Sequence, residues 1–154
     1  MLAYVLLFSL FLSLVATGVQ LIGEFERRKN DLLNDQTRAV ELVSGSMSNN
    51  IWLMNFSEVA NSLDDMKAVP AVQYGRVVTS TGETFSTGTY PEGRVISQTF
   101  PLVFDRSNNR SPENVGTLTV TSSIDQIYTD LRNRAFLNLL FQSIVVMLGT
   151  LGLL

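Results

Sequence analysis

Charge is missing from both ends of this chain. Residues 1–23 and 135–154 contain no Lys, Arg, Asp or Glu, whereas the 11 basic and 14 acidic side chains of the 154-residue sequence all fall between Glu24 and Arg134. The overall hydrophobic fraction of 45% is therefore an average over two different materials. Leu2 to Ile22 reads LAYVLLFSLFLSLVATGVQLI, and Ala135 to Leu154 reads AFLNLLFQSIVVMLGTLGLL. As helices, each would cover about 30 Å, the thickness of a bilayer's hydrocarbon core, while satisfying its own backbone hydrogen bonds. The expectation is two transmembrane helices, residues 1–23 and 135–154, flanking a water-soluble domain over residues 24–134.

The first apolar run lacks a basic n-region and a clear small-residue cleavage site, which favours an uncleaved anchor over a signal peptide. In the second run, Asn138 and Gln142 lie one turn apart and share a helical face suited to hydrogen bonding across a helix interface. The run continues to Leu154, from which a truncated span and a missing cytoplasmic output domain are expected. Arg27, Arg28, Lys29, Arg132 and Arg134 all sit on the domain side of the apolar runs. The positive-inside rule does not govern long translocated domains, so charge alone leaves the orientation open.

Several function classes are excluded by composition. A net charge of -3 offers no basic field for nucleic acid. The chain has no Cys and no His, which removes disulfides, thiolate sites, the commonest metal ligand and the commonest general base. Neither a phosphate-binding glycine loop nor a metal-ligand cluster is present. No catalytic residue, metal or cofactor is expected.

Within the soluble region, residues 24–54 form one long helix candidate. Leu33, Val40, Met47 and Met54 recur at sevens, with Val43 at one intermediate position and Gln36 and Asn50 at the other two. That stripe suits either a dimer seam or a face packed on a sheet. Asn55-Phe56-Ser57-Glu58 has the form of a capping box. It would start a short helix over 55–69 with Val59, Leu63 and Met66 inward, stopped before Pro70.

Residues 71–122 are expected to form an antiparallel sheet. Ala71–Ser80 is the first strand, with Val72, Tyr74, Arg76 and Val78 on one face. Ser80-Thr81-Gly82 is a turn, and Glu83–Thr87 returns. Val95–Phe104 alternates, and Pro101 within it marks an edge or a bulge. Asp105–Asn114 is a polar loop. Gly116–Ser122 is the fourth strand, with Leu118 and Val120 inward. Ser123-Ile124-Asp125-Gln126 is a second capping box, starting an exit helix over 123–134 that carries no Gly or Pro before the second apolar run. The expected class is α+β.

At this point a resemblance emerges. The stretch IWLMNFSEVANSLDDMKAVPAVQYGRVVTSTGETFSTG resembles the extracytoplasmic sensor regions of bacterial transmembrane histidine kinases and diguanylate cyclases. The matching residues are Ile51, Trp52, Asn55, Pro70, Val72 and Gly82, followed by Phe100-Pro101-Leu102 and Gly116-Thr117-Leu118. That family usually carries Asp at the position of Asn55. The resemblance implies a PAS-like sheet, a homodimeric receptor of a two-component or cyclase system, and a periplasmic domain on the bacterial inner membrane. The chain would then be the sensory input module, with the bilayer and a second copy as partners. A two-span accessory subunit whose soluble domain docks a periplasmic protein is the alternative.

PAS-like extracytoplasmic sensors often hold small anions. The candidate ligand residues are accordingly Trp52, Tyr74, Arg76, Tyr90 and Arg94. Guanidinium forks match carboxylates. Trp52 also has a plain structural explanation as a core wedge, and Arg76 has one as part of a solvated strand face.

Overall fold

The structure is a computed structural model that describes residues 2–105 and 111–151, the side chains of 2–3, 5–7, 10 and 146–151 excepted. Its elements run α1 (Leu2–Trp52), α2 (Phe56–Asp65), a 3-10 turn (Met66–Ala68), β1 (Tyr74–Thr79), β2 (Thr84–Gly88), β3 (Val95–Phe104), β4 (Glu113–Ser123) and α3 (Asp125–Leu151). They form two bodies, one of residues 30–125 and one of residues 1–29 with 126–154.

In the first body the four strands form one antiparallel sheet in the order β2-β1-β4-β3. The class is α+β, with a long N-terminal helix, as expected. One face of the sheet is covered. Ala39, Val40, Met47 and Ile51 of α1 and Val59 and Leu63 of α2 share a buried cluster with Val77, Leu102, Leu118 and Val120. The α1 heptad stripe is thus used as a core face at Val40 and Met47. Gln36 interrupts it because its amide is needed elsewhere. Fully buried, Gln36 donates from Nε2 to the Ala71 carbonyl (3.3 Å) and the Ser122 hydroxyl (2.8 Å), tying α1 to β4.

The sheet's other face is polar. Cross-strand partners place Ser86, Arg76, Thr119 and Thr99 in one row, and Gly88, Tyr74, Thr121 and Ser97 in the next. Ser97 and Thr121 share a hydroxyl bond of 2.7 Å, and Thr99 and Thr119 one of 3.0 Å.

β3 has the expected bounds. It is an edge strand and also carries a register shift between Leu102 and Val103, so Pro101 sits where a missing N–H is tolerated. β1 is shorter than expected. Val72 lies before it in a turn closed by its own N–H on the Val69 carbonyl (2.9 Å), and it is buried. The β1–β2 turn is a type I turn followed by Gly82 at φ +93, closed by Gly82 N–H to the Thr79 carbonyl (3.0 Å). Residues 106–110 of the expected polar loop lie outside the described residues.

The long helix ends two residues before the expected Met54. Met54 N–H bonds the Ile51 carbonyl (3.0 Å) and Asn55 N–H bonds the Asn50 carbonyl (2.8 Å), which is a Schellman ending. It puts Met54 at φ 54, outside the seam and 72% exposed. Glycine normally fills this position, because a Cβ there costs roughly 1–2 kcal/mol. Met54→Gly is therefore expected to raise unfolding stability by about 1 kcal/mol, part of the gain being returned as unfolded-state entropy. A urea midpoint unchanged or lowered in the variant would contradict the ending described.

The capping box expected at Asn55 does not form. Its side chain makes no cap bond; Asn55 Oδ1 instead accepts from the Ser57 hydroxyl (3.0 Å). At the second box, Ser123 Oγ accepts from the Asp125 N–H (3.2 Å), and the Asp125 carboxylate accepts from the Arg94 N–H (3.3 Å).

The second body is a pair of helical segments running antiparallel. Phe25 packs on Tyr128 with ring centroids 4.9 Å apart. Glu24 Oε1 lies 3.0 Å from both Arg28 and Arg134, and Arg28 also reaches Asp130 at 3.4 Å. Further along, Gln142 Nε2 donates to Thr17 Oγ1 at 3.5 Å. Phe8, Phe11, Val19 and Ile22 on α1, and Phe136, Leu137 and Phe141 on α3, are exposed. Among the described residues no helix is long and apolar enough to cross a membrane, so the two flanking spans expected are not seen as such. Parts of both runs, residues 1–3, 5–7, 10 and 146–154, lie outside the described residues or have side chains that do.

Candidate functional site

Of the candidate ligand residues, Tyr74 and Arg76 lie on the open face of the sheet and Trp52 on the helix-covered side. Tyr74 and Tyr90 do meet, edge to face with ring centroids 5.3 Å apart. Tyr74 belongs to the open, polar face of the sheet, and Tyr90 reaches it from the loop after β2. Arg76 follows Tyr74 on the same face, exposed, between Ser86 and Thr119. The alternation expected for Tyr74, Arg76 and Val78 holds, and it turns them away from the core; Gly75, Val77 and Thr79 point inward. Arg94 stands at the start of β3, where its backbone is engaged from both sides: its carbonyl accepts from the Ile124 N–H (2.9 Å).

Trp52 is on the helix-covered side. It stacks on Phe104 with centroids 5.0 Å apart and planes 7° from parallel, and it packs against the buried cluster. It is also a wall of a cleft of about 290 Å³, formed with Phe56, Ser80, Thr81 and Glu113. The core-wedge and cavity-wall roles are thus both occupied by this side chain. Phe56 and Glu113 have no counterpart in the sequence expectation. Phe56 enters because the Schellman ending turns the chain at Met54. Glu113 enters because β4 starts three residues before Gly116, inside what reads as polar loop.

A second hollow lies between α2 and β2, lined by Asn61, Asp64, Phe85 and Thr87. Lys67 pairs with the Asp64 carboxylate, and Thr87 Oγ1 donates to Asp64 Oδ1 at 2.9 Å. The Lys67 ammonium, and after it the Thr87 hydroxyl, hold the Asp64 carboxyl below its ordinary value of 3.8. A lowered folded-state value means the carboxylate adds stability that is complete above that ordinary value and is lost as pH falls through the lower, folded one. Asp64→Asn is accordingly expected to unfold at slightly lower urea than the parent chain at pH 6. The gap should close as pH drops below 3.8. A gap that persists unchanged to the acid limit would show that the bond network does not depend on the charge.

A family model described as CHASE5, a periplasmic sensor domain found in signal transduction proteins, matches residues 24–131. The chain belongs to the CHASE5 family. No curated protein matches it. The CHASE5 match covers the last part of α1, all four strands and the first part of α3, so the sheet and both clefts described above are features of a periplasmic sensor domain. The resemblance to an extracytoplasmic sensor region is thereby confirmed.

Proposed function

We propose that this CHASE5 chain is the sensory input module of a membrane receptor. A signal met by the sheet domain is passed through α1 and α3 to a cytoplasmic output domain, a histidine kinase or a diguanylate cyclase. The supporting observation is the order of parts along the chain: the periplasmic sensor match ends at Leu131, inside α3, which continues to Leu151 and carries no charged side chain from Ala135 on. Leu2–Ile22 and Ala135–Leu154 are the anchors in this account, and the exposed Phe, Leu, Ile and Val side chains of the helical pair suit hydrocarbon. The receptor acts as a homodimer on the inner membrane. Leu42, 81% exposed on α1, offers an apolar contact for a second copy.

The test joins residues 1–154 in frame to a diguanylate cyclase whose output is followed in cells. Constitutively altered output from substitutions in the sheet domain, such as Gly88→Ala, is the expected result. Output indifferent to every sheet-domain substitution would refute sensory coupling. Location is checked separately. The natural chain has no Cys, so Ser86→Cys should react with a membrane-impermeant maleimide in cells whose outer membrane alone is permeabilised. Labelling only after lysis would place the domain in the cytoplasm.

A further inference from the structure

The cleft beside Trp52 has a chemistry opposite to that of the open sheet face. Its walls include two aromatic rings, Trp52 and Phe56. Each has an aromatic neighbour: Trp52 stacks on Phe104, and Phe56 lies 5.5 Å from the Phe85 ring at 25°. Ser80 and Thr81 add hydroxyls from the β1–β2 turn. Among the described lining residues the one charged side chain is Glu113, which is exposed and forms no ion pair with another described residue. Arg76, by contrast, points from the other face of the sheet.

Aromatic faces are negative at their centres, and they attract ammonium groups held within about 6 Å. A carboxylate at the mouth adds a full negative charge. Two helix ends also meet there. α1 presents its carbonyl end at Trp52, and α2 presents its N–H end at Phe56, with opposite partial charges of about half a unit that offset each other. Among the described lining residues Glu113 therefore carries the one full charge. The volume, about 290 Å³, is close to the lower bound of roughly 300 Å³ for small-molecule pockets.

The geometry points to a binding site for a small organic cation, a quaternary or primary ammonium compound, with Trp52 and Phe56 as the aromatic walls and Glu113 as the counter-charge. This rests on the sensory function proposed above and names its ligand class. The hydroxyls of Ser80 and Thr81 supply acceptors for the N–H groups of a primary amine.

Trp52 is the sole tryptophan of the chain, so its emission reports directly on the cleft. The full chain in detergent micelles is titrated with tetramethylammonium chloride, choline chloride and putrescine dihydrochloride, against sodium chloride and sodium acetate at equal ionic strength. At least one of the three cations is expected to change Trp52 emission saturably, and neither sodium salt to do so. Glu113→Gln should weaken that binding ten-fold or more while leaving the thermal midpoint of the ligand-free protein unchanged. Phe56→Leu, which keeps an apolar side chain at the α2 start, should also weaken it several-fold. A flat response to all three cations, equal affinity in Glu113→Gln, or saturation by acetate would overturn the assignment. Those outcomes leave the cyclase-fusion test untouched; fusion output that ignores the sheet domain, with cation binding intact, would fail the sensory function alone.

Discussion

Leu118→Ala is expected to remove about 3–4 kcal/mol of unfolding free energy. Leu118 is 0% exposed at the middle of β4, a central strand, with Val77 of β1 opposite on one side and Phe100 of β3 on the other. Truncation removes the transfer free energy of the lost carbons and leaves a hole that rigid strands on both sides cannot close, the condition that puts leucine-to-alanine changes in the upper part of their range of about 2–5 kcal/mol. Domains hold only about 5–15 kcal/mol in total, so the variant should be close to unfolding at 37 °C. Val103→Ala supplies the contrast. Val103 is 42% exposed, beyond the register shift on the edge strand, and its loss should stay within about 0.5 kcal/mol. Urea midpoints for the two variants measure both. Equal losses would mean that the cluster described is not the core.

Gly88→Ala is the second large effect, and it acts through the backbone. Gly82 and Gly88 both have positive φ, +93 and +78. A Cβ at Gly82 would meet nothing within 4 Å, whereas one at Gly88 would lie 2.1 Å from the Gln73 carbonyl oxygen. Gly82→Ala therefore carries only the conformational cost, roughly 1–2 kcal/mol. Gly88→Ala adds a collision with a backbone atom that must move, for a total of about 3–5 kcal/mol. Because Gly88 is the register partner of Tyr74, the strain falls on the strand end where Tyr74 and Tyr90 meet. Thermal melts of the two variants should separate by several degrees, with Gly88→Ala the lower. Similar melts would show that the β2 end yields freely.

Much of this architecture was legible in the residues themselves. β3 declared itself by alternation, and Pro101 announced its edge and its irregularity. Val40, Met47, Val59 and Leu63 were identifiable as inward positions by helical spacing. The failures have physical causes. Seven-residue spacing runs on through Met54, but a backbone turn into the left-handed region ends the helix before that position. Val72 reads as strand because it is apolar and precedes an alternating run; its burial comes from a turn. The inward face of β1 was hidden because one of its residues is Gly75, where Leu63 Cδ1 lies 3.0 Å from the position of a Cβ and occupies the space a side chain would need.

The candidate site was less legible. The contact of Tyr74 with Tyr90 could be anticipated only as shared polarity. The grouping of Trp52 with Glu113 depends on sixty residues of intervening chain returning to one corner, and no local pattern encodes that. One signal is present in the residues: Glu113 stands three positions before Gly116, where the alternating run of the fourth strand begins.

The antiparallel helical segments carry their polar contacts as rungs: Arg28 with Asp130, Glu24 with Arg134, Thr17 with Gln142. A slide of one segment past the other by a single turn, about 5.4 Å, would break all three rungs together. A tilt would open them one after another from whichever end is lifted. The ladder thus distinguishes two kinds of motion by their energy profiles, one abrupt and one graded.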